Sequence, residues 1–239
     1  MESYDENAHA QKMIIRHLME LLNAYSPLVC NRILEVGCGT GLLTKQLKEK
    51  YTGCELWVND LVDAMCSKTA DRCQLSPKHC VVGDIEQVTF ERRFELIVSA
   101  STFQWLVHPA QTFARLAGYL YQGGQLVFST FGKDNYKELK ILTGNGLVYH
   151  SIEEMKDLLS PCFEIIHAEE NHCVLEFDNP LEVLKHVKKT GVNAVNIQQN
   201  WTRGKLESFV YEYAKRFQVK GHCPLTYHPQ YFICKKKIL

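Results

Sequence analysis

The 239-residue chain is 46% hydrophobic and 23% charged, with no formal net charge at pH 7; this excludes a disordered or fibrous chain and fits one large α/β domain, or one with an inserted cap. No apolar run approaches the roughly 20 residues that span a bilayer, and the acidic start Met1-Glu2-Ser3-Tyr4-Asp5-Glu6 is unlike a signal peptide, so a cytoplasmic protein with no membrane partner is expected. The charge is uneven: residues 180–239 carry 11 Lys/Arg against 3 Asp/Glu, a net of +8 balanced by −8 in residues 1–179, which suits either an acidic partner or a solvated basic helix.

Residues 8–25 place Ala10, Met13, Ile14, His17, Leu18, Leu21 and Leu22 on one face of an amphipathic helix. Arg32–Leu42 then reads Arg-Ile-Leu-Glu-Val-Gly-Cys-Gly-Thr-Gly-Leu, a buried parallel strand that breaks into alternating glycines, with a helix following to about Tyr51. Such a turn bares backbone N–H groups and lets a ligand touch the main chain. Its spacing is G-x-G-x-G with Glu35 two positions ahead of Gly37, not the G-x-G-x-x-G of dinucleotide sites. Glu55–Asp60 is a second strand. Asp60 falls nineteen residues after Gly41, where nucleotide-binding α/β folds place an acid for ribose hydroxyls; it also suits an N-cap for a helix over Leu61–Gln74.

His79–Asp84 is a third strand ending in Gly83-Asp84-Ile85-Glu86, where Asp84 can accept from an adenine amino group or form a Gly-Asp turn. Phe94–Ala100 is a fourth strand, continued by Ser101-Thr102-Phe103-Gln104-Trp105-Leu106 over the carboxyl ends of the strands, where ligands bind in such sheets. A helix over His108–Tyr121 and a fifth strand over Gln125–Phe131 complete the alternation of a doubly wound sheet. Beyond Gly132 the pattern predicts helices over Asp134–Leu142 and Ser151–Leu159, a long strand or bent hairpin over Phe163–Phe177, a basic helix from Pro180 to Lys189 stopped by Gly191, an amphipathic helix over Gly204–Phe217, and a closing strand over Leu225–Lys237. Residues 180–224 therefore form a late insertion available as a lid. None of the ten cysteines forms a C-x-x-C pair, so no metal is expected and the thiols read as small buried hydrophobes.

The stretch Ile33–Gly41 with Glu35 resembles motif I of S-adenosylmethionine-dependent methyltransferases. Further stretches are similar to one family among them, the malonyl-acyl-carrier-protein O-methyltransferases that begin pimelate-chain synthesis for biotin. They are Ser3-Tyr4-Asp5, His9-Ala10-Gln11, Gly83–Glu86, Phe103–Leu106, Gly124–Gly132, Leu184–Val192, Thr202–Leu206 and Pro224–Tyr227, nearly end to end. The resemblance implies a Rossmann-like methyltransferase sheet with helices on both faces, and a single methyltransferase domain over 1–239.

It also implies methyl transfer from S-adenosyl-L-methionine to the free carboxylate of a malonyl thioester. A carboxylate is already ionised at neutral pH and needs no general base, so no catalytic residue is assigned and rate comes from alignment and exclusion of water. On this reading Gly37, Cys38, Gly39 and Gly41 admit the cofactor and Glu35 holds its amino group. Asp60 with Leu61 takes the ribose side, and Asp84 with Ile85 takes the adenine. Ser99 and Gln104 lie beside the methionine part, and Tyr4 and Gln11 close from the N-terminal side. Gln104, Trp105, Arg203 and Tyr227 face the substrate, Arg203 clamping its carboxylate; Arg203 as a surface residue and Trp105 as core are the plain alternatives.

A malonyl-acyl carrier protein or malonyl-CoA is the expected partner, met by Lys185, Lys188, Lys189 and Lys205, and a monomer is expected. No nucleic-acid partner is expected: no Asn-Pro-Pro-Tyr or Asp-Pro-Pro-Tyr motif follows strand four, and the basic run lacks interleaved aromatics. Methyltransferases of quinones, amines or other carboxylates share every cofactor motif and are the alternative.

Overall fold

Apolar strands alternating with amphipathic helices fold as the sequence pattern directs. The computed structural model describes residues 9–26, 29–189 and 202–238. In chain order the elements are α1 (His9–Tyr25), β1 (Arg32–Val36), α2 (Leu42–Lys50), β2 (Glu55–Asp60), α3 (Asp63–Cys73), β3 (Cys80–Val82), β4 (Phe94–Ala100), α4 (Pro109–Tyr119), β5 (Leu120–Phe131) and α5 (Lys137–Thr143). They continue with α6 (Ile152–Leu159), β6 (Phe163–Glu170), β7 (Cys173–Phe177), α7 (Pro180–Lys189), α8 (Arg203–Phe217), β8 (Cys223–Tyr227) and β9 (Pro229–Lys236). The chain divides into two compact units, the larger drawing on residues 11–130, 151–170 and 230–239 and the smaller chiefly on 131–150 and 171–229.

The larger unit is a seven-stranded sheet in the order β3-β2-β1-β4-β5-β9-β6. β1 pairs in parallel with β2 and β4, β2 with β3, and β4 with β5, whereas β6 runs antiparallel to β9. From β1 the chain steps outward to β3, then returns to β4 on the other side of β1. That reversal leaves a crevice at the carboxyl ends of β1 and β4. Register sets the faces: Leu34, Ile97 and Leu126 lie in one row and Glu35, Val58, Val98 and Val127 in another on the opposite face. The first row, with Phe128 and Phe232, packs against Phe113 and Leu116 of α4 and Met155 and Leu159 of α6. Each such side chain stabilises the fold by about 1.5–3 kcal/mol when fully buried. A reciprocal capping box starts α6: Ser151 N–H donates to Glu154 Oε2 at 2.7 Å and Glu154 N–H to Ser151 Oγ at 3.3 Å.

The smaller unit contains the antiparallel pair β7–β8 with α5, α7 and α8. α7 buries Val183, Leu184 and Val187 and exposes Lys185, Lys188 and Lys189, the division its spacing predicts. Asn179 Oδ1 caps it by accepting from the N–H groups of Leu181 (3.0 Å) and Glu182 (3.1 Å). Buried Glu138 accepts from the Thr226 N–H at 3.0 Å and hydroxyl at 2.5 Å.

Two expectations are corrected. Phe163–Phe177 is two strands in different sheets, broken at Asn171-His172: the Asn171 N–H still donates to Pro229 O of β9 (3.0 Å), whereas Cys173 already pairs with Tyr227 of β8. The closing strand is likewise two, β8 and β9, separated by His228, because Pro229 has no N–H to continue a ladder. Residues 190–201, including the expected stop at Gly191, and Tyr4 lie outside the described residues. No helix among the described residues is long and apolar enough to cross a membrane.

In the larger unit His17 of α1 contacts Glu169 of β6 through Nε2 and Glu20 through Nδ1 (3.2 Å), and Glu169 also holds His167 at 2.8 Å. Burial lowers the His17 pKa, but Glu169 and Glu20 outweigh it and the net shift is upward from 6.5. Burial raises Glu169, but His17 and His167 outweigh it and the net shift is downward from 4.5. The imidazolium's contribution is full below pH 6.5 and fades as pH rises through its raised value; the carboxylate's is present above pH 4.5 and fades on acidification. Replacing Glu169 by Gln is expected to cost up to about 1 kcal/mol near pH 6 and less at pH 9, read from urea unfolding at both pH values.

Candidate functional site

The glycine turn after β1 is held from below and from both sides. The N–H groups of Gly37 and Cys38 donate to Asn59 O at 2.8 and 3.0 Å, and Gly41 N–H donates to Cys38 O at 2.9 Å. Gly39 N–H donates to Asp60 Oδ2 at 2.8 Å, while Asp60 Oδ1 accepts from Val62 N–H at 3.0 Å. Thr69 and Arg72 of α3 clamp the carbonyls of Gly39 (2.9 Å) and Thr40 (3.0 Å). A ligand therefore meets a preformed cradle.

Two of the glycines are required for different reasons. Gly37 has φ +75°, and a Cβ there would fall 2.0 Å from Thr102 Oγ1, so this position is closed by packing. Gly39 has φ +52° with nothing within 4 Å of where its Cβ would stand, so its bare face looks onto open space. Beneath the turn Glu35 is 1% exposed, and its Oε2 has no hydrogen-bond partner. Burial, opposed by Thr44 and reinforced by Asp60, raises its pKa to about 8. Cys38 contributes a buried thiol that burial pushes far above its usual range.

Around this cradle the structure gathers most of the remaining expected residues of the larger unit. Asp60 keeps lone pairs beyond its two backbone bonds, so ribose acceptance and its local capping of Val62 are compatible. Leu61 and Val62 are 71% and 49% exposed at the end of β2. Asp84 Oδ1 accepts from Glu86 N–H at 2.9 Å, making a turn, and Ile85 is buried. Glu86 anchors that turn, its carboxylate accepting from the N–H groups of Val107 (3.0 Å) and His108 (2.7 Å) and the Thr112 hydroxyl (3.1 Å). Gln104 donates to Ser101 O at 2.6 Å and leaves its Oε1 buried without a partner, as does Gln11. Trp105 is 42% exposed.

Three side chains are placed otherwise than their expected contacts. Ser99 is fully buried and donates to Val36 O at 2.8 Å, so its hydroxyl is a strut under the turn. In the smaller unit Tyr227 is 1% exposed, its hydroxyl bonded to Tyr136 (2.9 Å) and His186 (2.8 Å). Arg203 opens α8 with its side chain 93% exposed and pairs with Glu207 at 2.9 Å. Asp134, His172 and His228 bring candidate metal-ligand atoms within 4.8 Å of one another. However, His228 Nδ1 accepts the Asp134 N–H at 3.1 Å, which puts the neutral ring's proton on Nε2 and leaves no lone pair there.

The sequence reading missed Asn59 and Thr102. Asn59, 2% exposed, uses its amide N–H groups to tie Val81 O (2.8 Å) to Gly83 O (2.9 Å), aligning the Asp60 and Asp84 turns. An amide inside an apolar strand beside Asp60 was the available signal. Thr102 gives no local signal, because its partner Gly37 is 65 residues away.

A family model described as a methyltransferase domain matches residues 34–128. The malonyl-[acyl-carrier protein] O-methyltransferase of Bacteroides thetaiotaomicron is 37% identical, covering 99% of this chain and 94% of the relative. That of Acinetobacter baylyi is 38% identical over 98% and 92%. A Bacteroides fragilis relative of the same name is 40% identical over 98% of this chain, which spans 48% of its length. Among solved structures, a putative methyltransferase from Bacillus halodurans superposes with TM-score 0.69 at 16% identity, covering 94% of this chain and 99% of that one. At that identity the likeness shows the fold alone.

Gly37→Ala is expected to destabilise the protein by at least about 3 kcal/mol through clash plus left-handed strain, and Gly39→Ala by only about 1–2 kcal/mol, the strain alone. Denaturant titration of both variants measures the difference.

Proposed function

The chain belongs to the malonyl-[acyl-carrier protein] O-methyltransferase family, and from that membership we propose how its residues carry out methyl transfer to the free carboxylate of a malonyl thioester. The observation that carries the reading is Gly39, open on its Cβ side and fixed by Asp60, above a buried and half-satisfied Glu35. That set of acceptors suits a nucleoside bearing an amino group and hydroxyls: Glu35 for the ammonium, Asp60 for the ribose and the Asp84–Ile85 turn for the adenine. S-adenosyl-L-methionine, when bound, supplies the sulfonium methyl and leaves as S-adenosylhomocysteine.

The protein's own contribution is positional. The nucleophile is a carboxylate, ionised at neutral pH, so no side chain must remove a proton. Alignment of oxygen, methyl and sulfur supplies up to roughly 7–11 kcal/mol, and the rigid bracing of the glycine turn by Asn59, Thr69 and Arg72 serves that alignment. Gln104 and Trp105, just beyond β4, are proposed to face the substrate. The methyl ester masks the charged end of the malonyl group, so that the thioester can enter pimelate-chain extension for biotin. A cytoplasmic monomer is part of the same reading.

Incubation with malonyl thioester and methyl-labelled S-adenosylmethionine is expected to give a labelled methyl ester; label elsewhere, or none, sinks the proposal. Gly39→Ala, folded but with a methyl in the open space, is expected to lose most binding of S-adenosylhomocysteine in calorimetry. The carrier is proposed to meet the exposed lysines of α7. Charge reversal at Lys188 and Lys189 is expected to raise KM for a carrier-bound substrate about tenfold, leaving that for malonyl-CoA unchanged.

A further inference from the structure

Glu35 is a carboxylate without a counter-ion. It stands between Val58 of β2 and Val98 of β4 in the sheet, 1% exposed, with Oε2 unpartnered. The groups that face it come from every neighbouring element: the Thr44 hydroxyl and N–H from α2, the Asp60 carboxylate from β2, the Cys38 thiol from the turn and the Cys73 thiol from α3. Among the described residues no Lys, Arg or His offsets its charge. Ionising a carboxyl in such surroundings costs several kcal/mol, and a second carboxylate nearby makes it worse. Burial therefore keeps Glu35 protonated in the free protein, with a pKa near 8. What the pocket lacks is a cation.

We infer that the cofactor's ammonium group binds at Glu35 with release of one proton to solvent, so that cofactor binding is proton-coupled and strengthens with rising pH across the neutral range. The inference rests on the cofactor reading above and adds to it. The only covalent change is loss of the Glu35 O–H bond: the proton goes to the buffer, and the carboxylate left behind pairs with the ligand's –NH3+. The ligand's amino group is already an ammonium at neutral pH and contributes no proton of its own. The same pairing makes Glu35 a selector for nucleosides that carry the amino group, because a ligand without it leaves the carboxyl protonated and gains nothing from the site.

Calorimetry of the intact protein with S-adenosylhomocysteine at pH 6.5, in phosphate and in imidazole, counts the protons from the difference in apparent enthalpy. The expected result is close to one proton released at pH 6.5, and a Kd that falls about tenfold per pH unit between roughly pH 5.5 and 7.5. 5′-Methylthioadenosine, which lacks the aliphatic ammonium group, is expected to release none from the same wild-type protein, so the test does not depend on a variant folding. Glu35→Gln is expected to abolish both the release and the pH slope for S-adenosylhomocysteine. Binding of S-adenosylhomocysteine with no buffer dependence and a flat pH profile overturns the inference and leaves the cofactor reading standing. No binding of S-adenosylhomocysteine at any pH overturns the cofactor reading, and the inference with it.

Discussion

One hydrogen bond, 2.8 Å from Gly39 N–H to Asp60 Oδ2, sets the geometry on which the rest of the site depends. It joins the turn after β1 to the end of β2, fixing the left-handed glycine while leaving its open face toward the crevice. A charge-assisted bond of this kind is about twice as strong as a neutral one. The residues around it repeat the restraint: Asn59 accepts from the two preceding N–H groups, and Thr69 and Arg72 hold the carbonyls. The turn can thus be fixed before any ligand arrives, which removes ordering cost from binding.

Glu35 lies two residues before that braced turn. Its register on β1 opposite Val58 and Val98 gives it neither water nor cation, a placement that destabilises the free protein whenever the group ionises. Buried groups of this kind mark functional sites, because a fold retains such a cost where a ligand relieves it. Glu138, also buried, is instead engaged by the Thr226 backbone N–H and hydroxyl and reads as structure.

Local features were legible in the sequence to the degree that their causes are local. Glycine spacing, the acid after β2, the Ser151–Glu154 capping box and the Asn179-Pro180 start each act over a few residues, and each stands where the pattern puts it. What escaped depends on residues far apart. That Ser99 would serve Val36 O follows only from the pairing of β1 with β4. The splitting of Phe163–Phe177 into β6 and β7 follows from partners more than forty residues distant. The exposed start of α8 at Arg203 was no more visible, since a helix N-terminus looks alike in sequence whether it faces solvent or a ligand.

The strand order carries one more consequence, for how the protein is made. β9, made after both β5 and β6, belongs between them rather than at an edge. Until β9 has been made, both of those strands present unpaired backbone along one side, a template for wrong pairing with other chains. Closing the sheet therefore waits for β9, and the Lys235–Lys236 end of that strand places charge on the segment whose arrival completes it.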